Sequence, residues 1–215
     1  MPSQLQTAIR SSMPSVLRNT IKDFIDPVTS RIRYIRWTAA GRPIPAPNPV
    51  KREIIRGYAR DFDLNVLVET GTYYAETVRG LRNDFRQIYS IELDERLYDL
   101  AVSRCKRQAN AVLLQGDSSQ RILDVISRLS DPALFWLDAH YSGGETARGD
   151  LDTPIHAELI AVLGDGRPHV VLVDDMREFV NSSQDYPALD AVGRIARDHG
   201  YVMSTALDVI RLVPQ

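Results

Sequence analysis

From residue 50 onward the sequence alternates between short runs of consecutive apolar residues and longer segments of helical periodicity, and few folds accept that pattern. The apolar runs span 66–68, 88–91, 111–114, 133–137 and 170–173, and two more, 201–204 and 209–213, close the chain. Between them 51–62, 74–81, 95–108, 119–129, 154–163 and 186–198 read as helices. Pro154 suits a first helical turn, and Gly200 sits where a helix stop is expected. A strand with no polar face has to be covered on both sides. The five earlier runs therefore predict parallel strands with helices on both faces of one sheet. The last two runs have only a short turn between them, so they pair antiparallel. The expected class is α/β: seven strands, mostly parallel, with one antiparallel strand near an edge.

The segment before this pattern is different. Residues 39–49 hold the one proline-rich stretch, which predicts extended, non-helical chain. It divides the sequence into an N-terminal arm with its linker (residues 1–49) and a main domain (residues 50–215). In the arm Leu5, Ile9, Met13, Val16, Leu17, Ile21, Phe24 and Ile25 recur at helical spacing, with Pro14 as a break. The expectation is an amphipathic helical arm that packs on the domain or on a second copy, making a homodimer. With 215 residues and 44 % hydrophobic content the chain is able to bury a full core without a structural metal. Cys105 is the single cysteine, which excludes an internal disulfide and fits a cytoplasmic setting. No apolar run is long enough to span a membrane. A formal charge of -2 offers no general footprint for nucleic acid.

In sheets of this kind ligands bind beyond the carboxyl ends of the strands, near the point where strand order reverses. The residues after each strand are thus the candidates. After the first come Glu69-Thr70-Gly71-Thr72-Tyr73-Tyr74-Ala75-Glu76-Thr77. Gly71 permits a sharp turn and a close ligand approach, and the next helix offers free N–H groups to a carboxylate. Glu92 ends the second strand, about 20 residues later, the place of an acid that accepts both hydroxyls of a ribose. Asp117 and Ser118 follow the third strand, positioned to touch an adenine or simply to cap a helix. Asp138 follows the fourth strand and Asp174-Asp175 the fifth. Three carboxylates meeting there would raise one another's pKa, a cost that a hard cation such as Mg²⁺ removes.

With these residues assembled, the chain over roughly residues 62–213 resembles the class I S-adenosylmethionine (SAM)-dependent methyltransferases. Within them it is most similar to the metal-dependent O-methyltransferases of the catechol and macrolide-sugar type. Glu69-x-Gly71-x-Tyr73-x-Ala75 is similar to that group's Glu-x-Gly-x-Tyr-x-Gly loop. The resemblance implies a Rossmann-like seven-stranded sheet, mostly parallel with one antiparallel strand, helices on both faces and an N-terminal helical arm. It implies cofactor contacts from Glu69, Gly71, Tyr73, Thr77, Glu92, Asp117, Ser118 and Asp138. It implies metal ligation, by Mg²⁺, from Asp138, Asp174 and Asp175. The expected activity is methylation of a small hydroxylated acceptor, a sugar or diol. Phe135-Trp136-Leu137-Asp138-x-His140-Tyr141-Ser142-Gly143-Gly144 also resembles a bacterial branch of the family.

Two departures from the family pattern stand out. Ala75 replaces the third glycine of the loop. Tyr141 stands where catechol-type enzymes carry a lysine base, with His140 beside it. His140 has the better unperturbed pKa for proton transfer near neutrality, and Tyr141 is the second candidate. The polar, glycine-rich segment 142–153 reads as a surface loop or a substrate lid. A non-catalytic domain, or one that binds NAD or a nucleotide sugar, is the alternative. Its dinucleotide fingerprint needs three glycines, and the loop here holds Gly71 alone.

Overall fold

The computed structural model describes residues 31–138, 154–180 and 186–215. The chain divides into two compact units, residues 1–50 and 51–215. In the first, residues 31–39 are helical. Trp37 is buried there, and its Nε1 donates to the Pro43 carbonyl at 2.7 Å.

The elements in order are α1 (Asn48–Asp61), β1 (Val66–Thr70), α2 (Glu76–Leu81), β2 (Gln87–Glu92), α3 (Glu95–Cys105), β3 (Ala111–Gln115), α4 (Ser118–Ile126), β4 (Leu134–Leu137), α5 (Ile155–Leu163), β5 (Val170–Val173), α6 (Met176–Val180), α7 (Leu189–Asp198), β6 (Tyr201–Ala206) and β7 (Val209–Pro214). The seven strands form one sheet in the order β3-β2-β1-β4-β5-β7-β6. The five strands β3-β2-β1-β4-β5 pair in parallel, while β7 runs antiparallel to both of its neighbours. This is the expected sheet, with the terminal hairpin supplying the reversed strand. Strand order reverses between β1 and β4.

Alternate residues of each strand serve opposite cores. Val66, Val68, Phe135, Leu137, Val171 and Val173 pack with α4, α5 and α7. Leu67, Leu134, Trp136, Val170 and Leu172 pack with α1, α2 and α3. Every residue of β1, β4 and β5 is buried.

Three local differences from the sequence reading have simple causes. Helix α1 begins at Asn48, so positions 48 and 49 are not extended. Pro49 sits in the first turn, where a missing N–H costs nothing. Helix α2 begins at Glu76 rather than at position 74, because Tyr73 and Ala75 take left-handed backbone angles, φ 48 and φ 56. Helix α6 has only five residues, too few to give a periodic signal.

His169, just before β5, is fully buried and fastens the sheet at its base. Its Nδ1 accepts the Ala133 N–H at 3.0 Å, so Nε2 carries the proton and donates to Asp165 at 2.7 Å. Burial holds its pKa below the ordinary value. A second proton on the ring would turn Nδ1 into a donor and lose the Ala133 bond. The folded form therefore resists protonation, and this part of the stability is present at neutral pH and lost as pH falls below the ordinary histidine range. His169→Ala should cost about 1–3 kcal/mol at pH 7, because it leaves a buried N–H without an acceptor. Urea unfolding at pH 7 and 5.5 checks this, with a smaller gap expected at the lower pH. Equal midpoints at pH 7 would remove His169 from the stability argument.

Candidate functional site

The polar residues that follow β1, β2, β4 and β5 gather at the carboxyl ends of the strands, on either side of the switch between β1 and β4. The loop after β1 turns at Gly71, which has φ 80, a conformation that suits glycine. The Gly71 and Thr72 N–H groups donate to the Ile91 carbonyl at 3.0 and 3.2 Å, which ties this loop to the end of β2. Glu92 lies beside it. Its Oε2 accepts the Tyr73 N–H at 2.7 Å and its Oε1 accepts the Asp94 N–H at 3.0 Å. A carboxylate has about four acceptor sites, so the group retains capacity for a hydroxyl donor. Burial raises its pKa, against the pull of those backbone bonds.

Glu69 is buried, on the same face of the sheet as Ser90 opposite it on β2. Its Oε2 accepts the Ser90 hydroxyl at 2.6 Å. Burial pushes its pKa up to about 8, tempered by the Ser90 and Thr77 hydroxyls. Ser90 in turn shares a hydrogen bond with Thr72 at 2.7 Å. Glu69, Thr72, Thr77 and Ser90 thus form a polar strut under the glycine loop. Tyr73 is itself exposed, with its ring edge-on to Tyr74. Asp117 caps α4: its Oδ1 accepts the Ser119 N–H at 2.8 Å and the Ser119 hydroxyl at 2.7 Å. That is the capping alternative open to it. Ser118 is buried and turned toward Glu158.

On the other side of the switch, Asp138, Asp174 and Asp175 converge. Each offers an oxygen, and these atoms lie within 4.8 Å of one another. Backbone bonds set the strand ends: the Asp138 N–H donates to the Thr70 carbonyl at 3.2 Å, and the Asp174 N–H to the Leu137 carbonyl at 3.0 Å. Asp175 has φ 56, and its N–H donates to Asp174 Oδ1 at 2.9 Å. Burial and the neighbouring Asp138 push the Asp174 pKa up to about 7. His140 and Tyr141, the expected base and its neighbour, lie outside the described residues, as does the lid segment up to position 153.

Four residues here escaped the sequence reading. Lys51, from α1, places its ammonium in direct contact with Asp174 Oδ2 and 3.9 Å from Asp175 Oδ1. Burial opposes its charge, but Asp174, Asp138 and Asp175 outweigh that and hold its pKa above the usual value. Arg177 donates to Asp175 Oδ1 at 2.8 Å and also contacts Asp208 in the β6–β7 turn. No local motif announces the Lys51–Asp174 or the Arg177–Asp208 pair, since the partners are far apart in sequence. Glu158 did carry a signal. It falls on the same face of α5 as Ile155, Leu159 and Val162, an acid in an apolar stripe.

Glu158 is fully buried, and among the described residues neither carboxylate oxygen has a hydrogen-bond partner of acceptable geometry. Burial pushes its pKa up to about 7, although the Ser118 and Thr70 hydroxyls lie near enough to restrain the shift. A raised carboxyl pKa contributes stability that is fully present below about 4.5 and lost as pH rises through about 7. Glu158→Gln should remove this dependence. Above pH 7 the variant should be more stable than wild type by about 1–3 kcal/mol, and the two should converge in acid. Denaturant titrations across that range test it, and parallel pH profiles would refute it.

No protein-family model matches the sequence, and no curated protein matches it. Solved structures do. The O-methyltransferase of Bacillus cereus in complex with SAH aligns with a TM-score of 0.56 at 13 % identity, covering 90 % of this chain and 97 % of that one. TomG of Streptomyces achromogenes, an O-methyltransferase of tomaymycin synthesis in complex with SAM, aligns at 0.53 and 16 %, covering 94 % and 100 %. A putative caffeoyl-CoA O-methyltransferase of Staphylococcus aureus aligns at 0.54 and 12 %, covering 92 % and 99 %. The chain therefore has the Rossmann-like fold of the class I O-methyltransferases.

Proposed function

We propose that this chain is a SAM-dependent methyltransferase acting on a hydroxyl oxygen of a small sugar or diol. The observation that carries this reading is Glu92. It closes onto the Tyr73 N–H of the glycine loop, next to Gly71, with acceptor capacity to spare. That is the chemistry a ribose diol requires. Gly71 has no side chain to block an amino-acid moiety at the same loop. Glu69 and its hydroxyl partners act beneath that loop as support.

SAM supplies an electrophilic methyl: the carbon–sulfur bond breaks with its electron pair staying on sulfur, and a carbon–oxygen bond forms to the acceptor. The protein's task is alignment of that oxygen and disposal of its proton. The carboxylate cluster at the ends of β4 and β5 is the acceptor side in this reading. Asp138 and Asp174 accept hydrogen bonds from acceptor hydroxyls, and Lys51 offers ammonium donors to acceptor oxygens. His140 is the proposed proton acceptor, with Tyr141 as its neighbour.

Magnesium at this cluster fits in donor type, since three carboxylate groups suit a hard cation. It does not fit in charge, because Lys51 and Arg177 already neutralise Asp174 and Asp175. A small-molecule acceptor, a cytoplasmic setting and pairing of two copies through residues 1–49 belong to the same proposal. Among the described residues no helix is long and apolar enough to cross a membrane.

Calorimetry with SAH tests the donor side. The wild type should bind it, and Glu92→Ala should bind about 1–3 kcal/mol more weakly, as expected for lost hydrogen bonds to a charged group. Unchanged affinity in a folded Glu92→Ala protein would displace Glu92 from the donor site. Failure of the wild type to bind SAH would sink the whole reading. Turnover on a panel of sugars and vicinal diols then identifies the acceptor.

A further inference from the structure

The carboxylate cluster is already served by a cation of the chain itself. Lys51 projects from α1 into the gap beyond β5, its side chain 17 % exposed and that of Asp174 only 1 %. Its ammonium touches one oxygen of Asp174 and lies 3.9 Å from Asp175. The other Asp174 oxygen accepts the Asp175 N–H. Arg177 takes the Asp175 oxygen at 2.8 Å while it also pairs with Asp208. A divalent ion bound by Asp138, Asp174 and Asp175 would need an Asp174 oxygen, and both are already engaged, one by the Lys51 ammonium and one by the Asp175 N–H. It would also stand within a few ångströms of a like charge in a poorly solvated site, an arrangement that strongly disfavours both occupants together.

We propose that Lys51 is this chain's built-in cation, standing at Asp174 and Asp175 in the place of a divalent metal and excluding one. An ammonium has three donors and no acceptor. One donor is committed to Asp174, which leaves others for Asp175 and for the oxygens of an acceptor. The cluster thus keeps a positive charge beside the acceptor oxygen without recruiting a metal. Methyl transfer accordingly proceeds in the presence of a chelator. This inference deepens the methyltransferase reading and rests on it for its catalytic consequence, but its binding consequence is independent.

The test is calorimetric titration of the full chain with Mg²⁺ and with Mn²⁺, for wild type, Lys51→Met and Lys51→Arg. Lys51→Met should bind the ion at least about ten-fold more tightly than wild type, because a competing charge is removed from buried carboxylates. Lys51→Arg, which keeps the charge, should behave as wild type. Where Lys51→Met fails to fold, Lys51→Gln takes its place and the same difference is expected. Equal affinity in wild type and in the neutral variant, including no binding by either, overturns the proposal. SAH titrations on the same samples separate the two readings. SAH binding by wild type together with equal metal affinities removes the role of Lys51 and leaves the donor site standing. A ten-fold metal difference without SAH binding does the reverse.

Discussion

Val68 and Phe135 pack on one side of the sheet while Leu67 and Trp136 pack on the other, so β1 and β4 have no solvent face along their length. A charge in the middle of such a strand would have no partner. Polar groups are therefore driven to the strand ends, and the parallel order of β3-β2-β1-β4-β5 brings those ends to one edge of the sheet. Glu92, Asp138, Asp174 and Asp175 come to the same edge of the sheet for this reason, although long stretches of sequence separate them. Glu69 tests the rule from inside. It sits one residue before the end of β1, opposite Ser90 in the register, and it is kept only because the Ser90 and Thr77 hydroxyls serve it.

Concentrating acids at one edge creates an electrostatic debt on the β4–β5 side. Burial and the surplus of negative charge act in the same direction on Asp174, and its carboxyl is pushed up to about 7. The same surplus overcomes the burial of Lys51 and keeps its ammonium charged. In both cases the neighbouring carboxylates push the pKa up, with burial adding to the shift on Asp174 and opposing it on Lys51. A lysine whose pKa is raised is a poor base while it stays in that contact, so Lys51 is not suited to accept a proton. It supplies charge. On the β2 side the Glu92 carboxylate is instead steadied by the backbone N–H groups of Tyr73 and Asp94.

How much of this was legible in the sequence depends on whether a residue's role is set by its own segment. The seven strands were, since consecutive apolar residues have only one reading in a βα repeat, and the reversed strand followed from the missing helix between 204 and 209. The strand-end acids were legible for the same reason. Lys51 was not, because its meaning comes from a contact across the fold, and a lysine at the start of an amphipathic helix is otherwise unremarkable in sequence. Arg177 and Asp208 are alike in this respect. Asp117 shows the opposite difficulty: the segment offers two valid roles, capping and ligand contact, and its hydrogen bonds to Ser119 display the first.

Ala75 shows how an alanine is accommodated at a left-handed turn where the similar methyltransferase loop pattern has a glycine. Its backbone is left-handed, at φ 56, which explains why a glycine suits the position and why α2 starts only at Glu76. A side chain in that conformation costs about 1–2 kcal/mol. The Ala75 methyl, however, is fully buried in the core shared with Val78, Leu81 and Ala101. Burying one such group returns about 0.8 kcal/mol, and alanine has less freedom than glycine to lose on folding, a further advantage of about 0.4–1 kcal/mol. The terms nearly cancel. The loop therefore keeps the left-handed turn that frees the Tyr73 N–H for Glu92, and the methyl lies against the helix layer and not on the side of the loop where Glu92 binds.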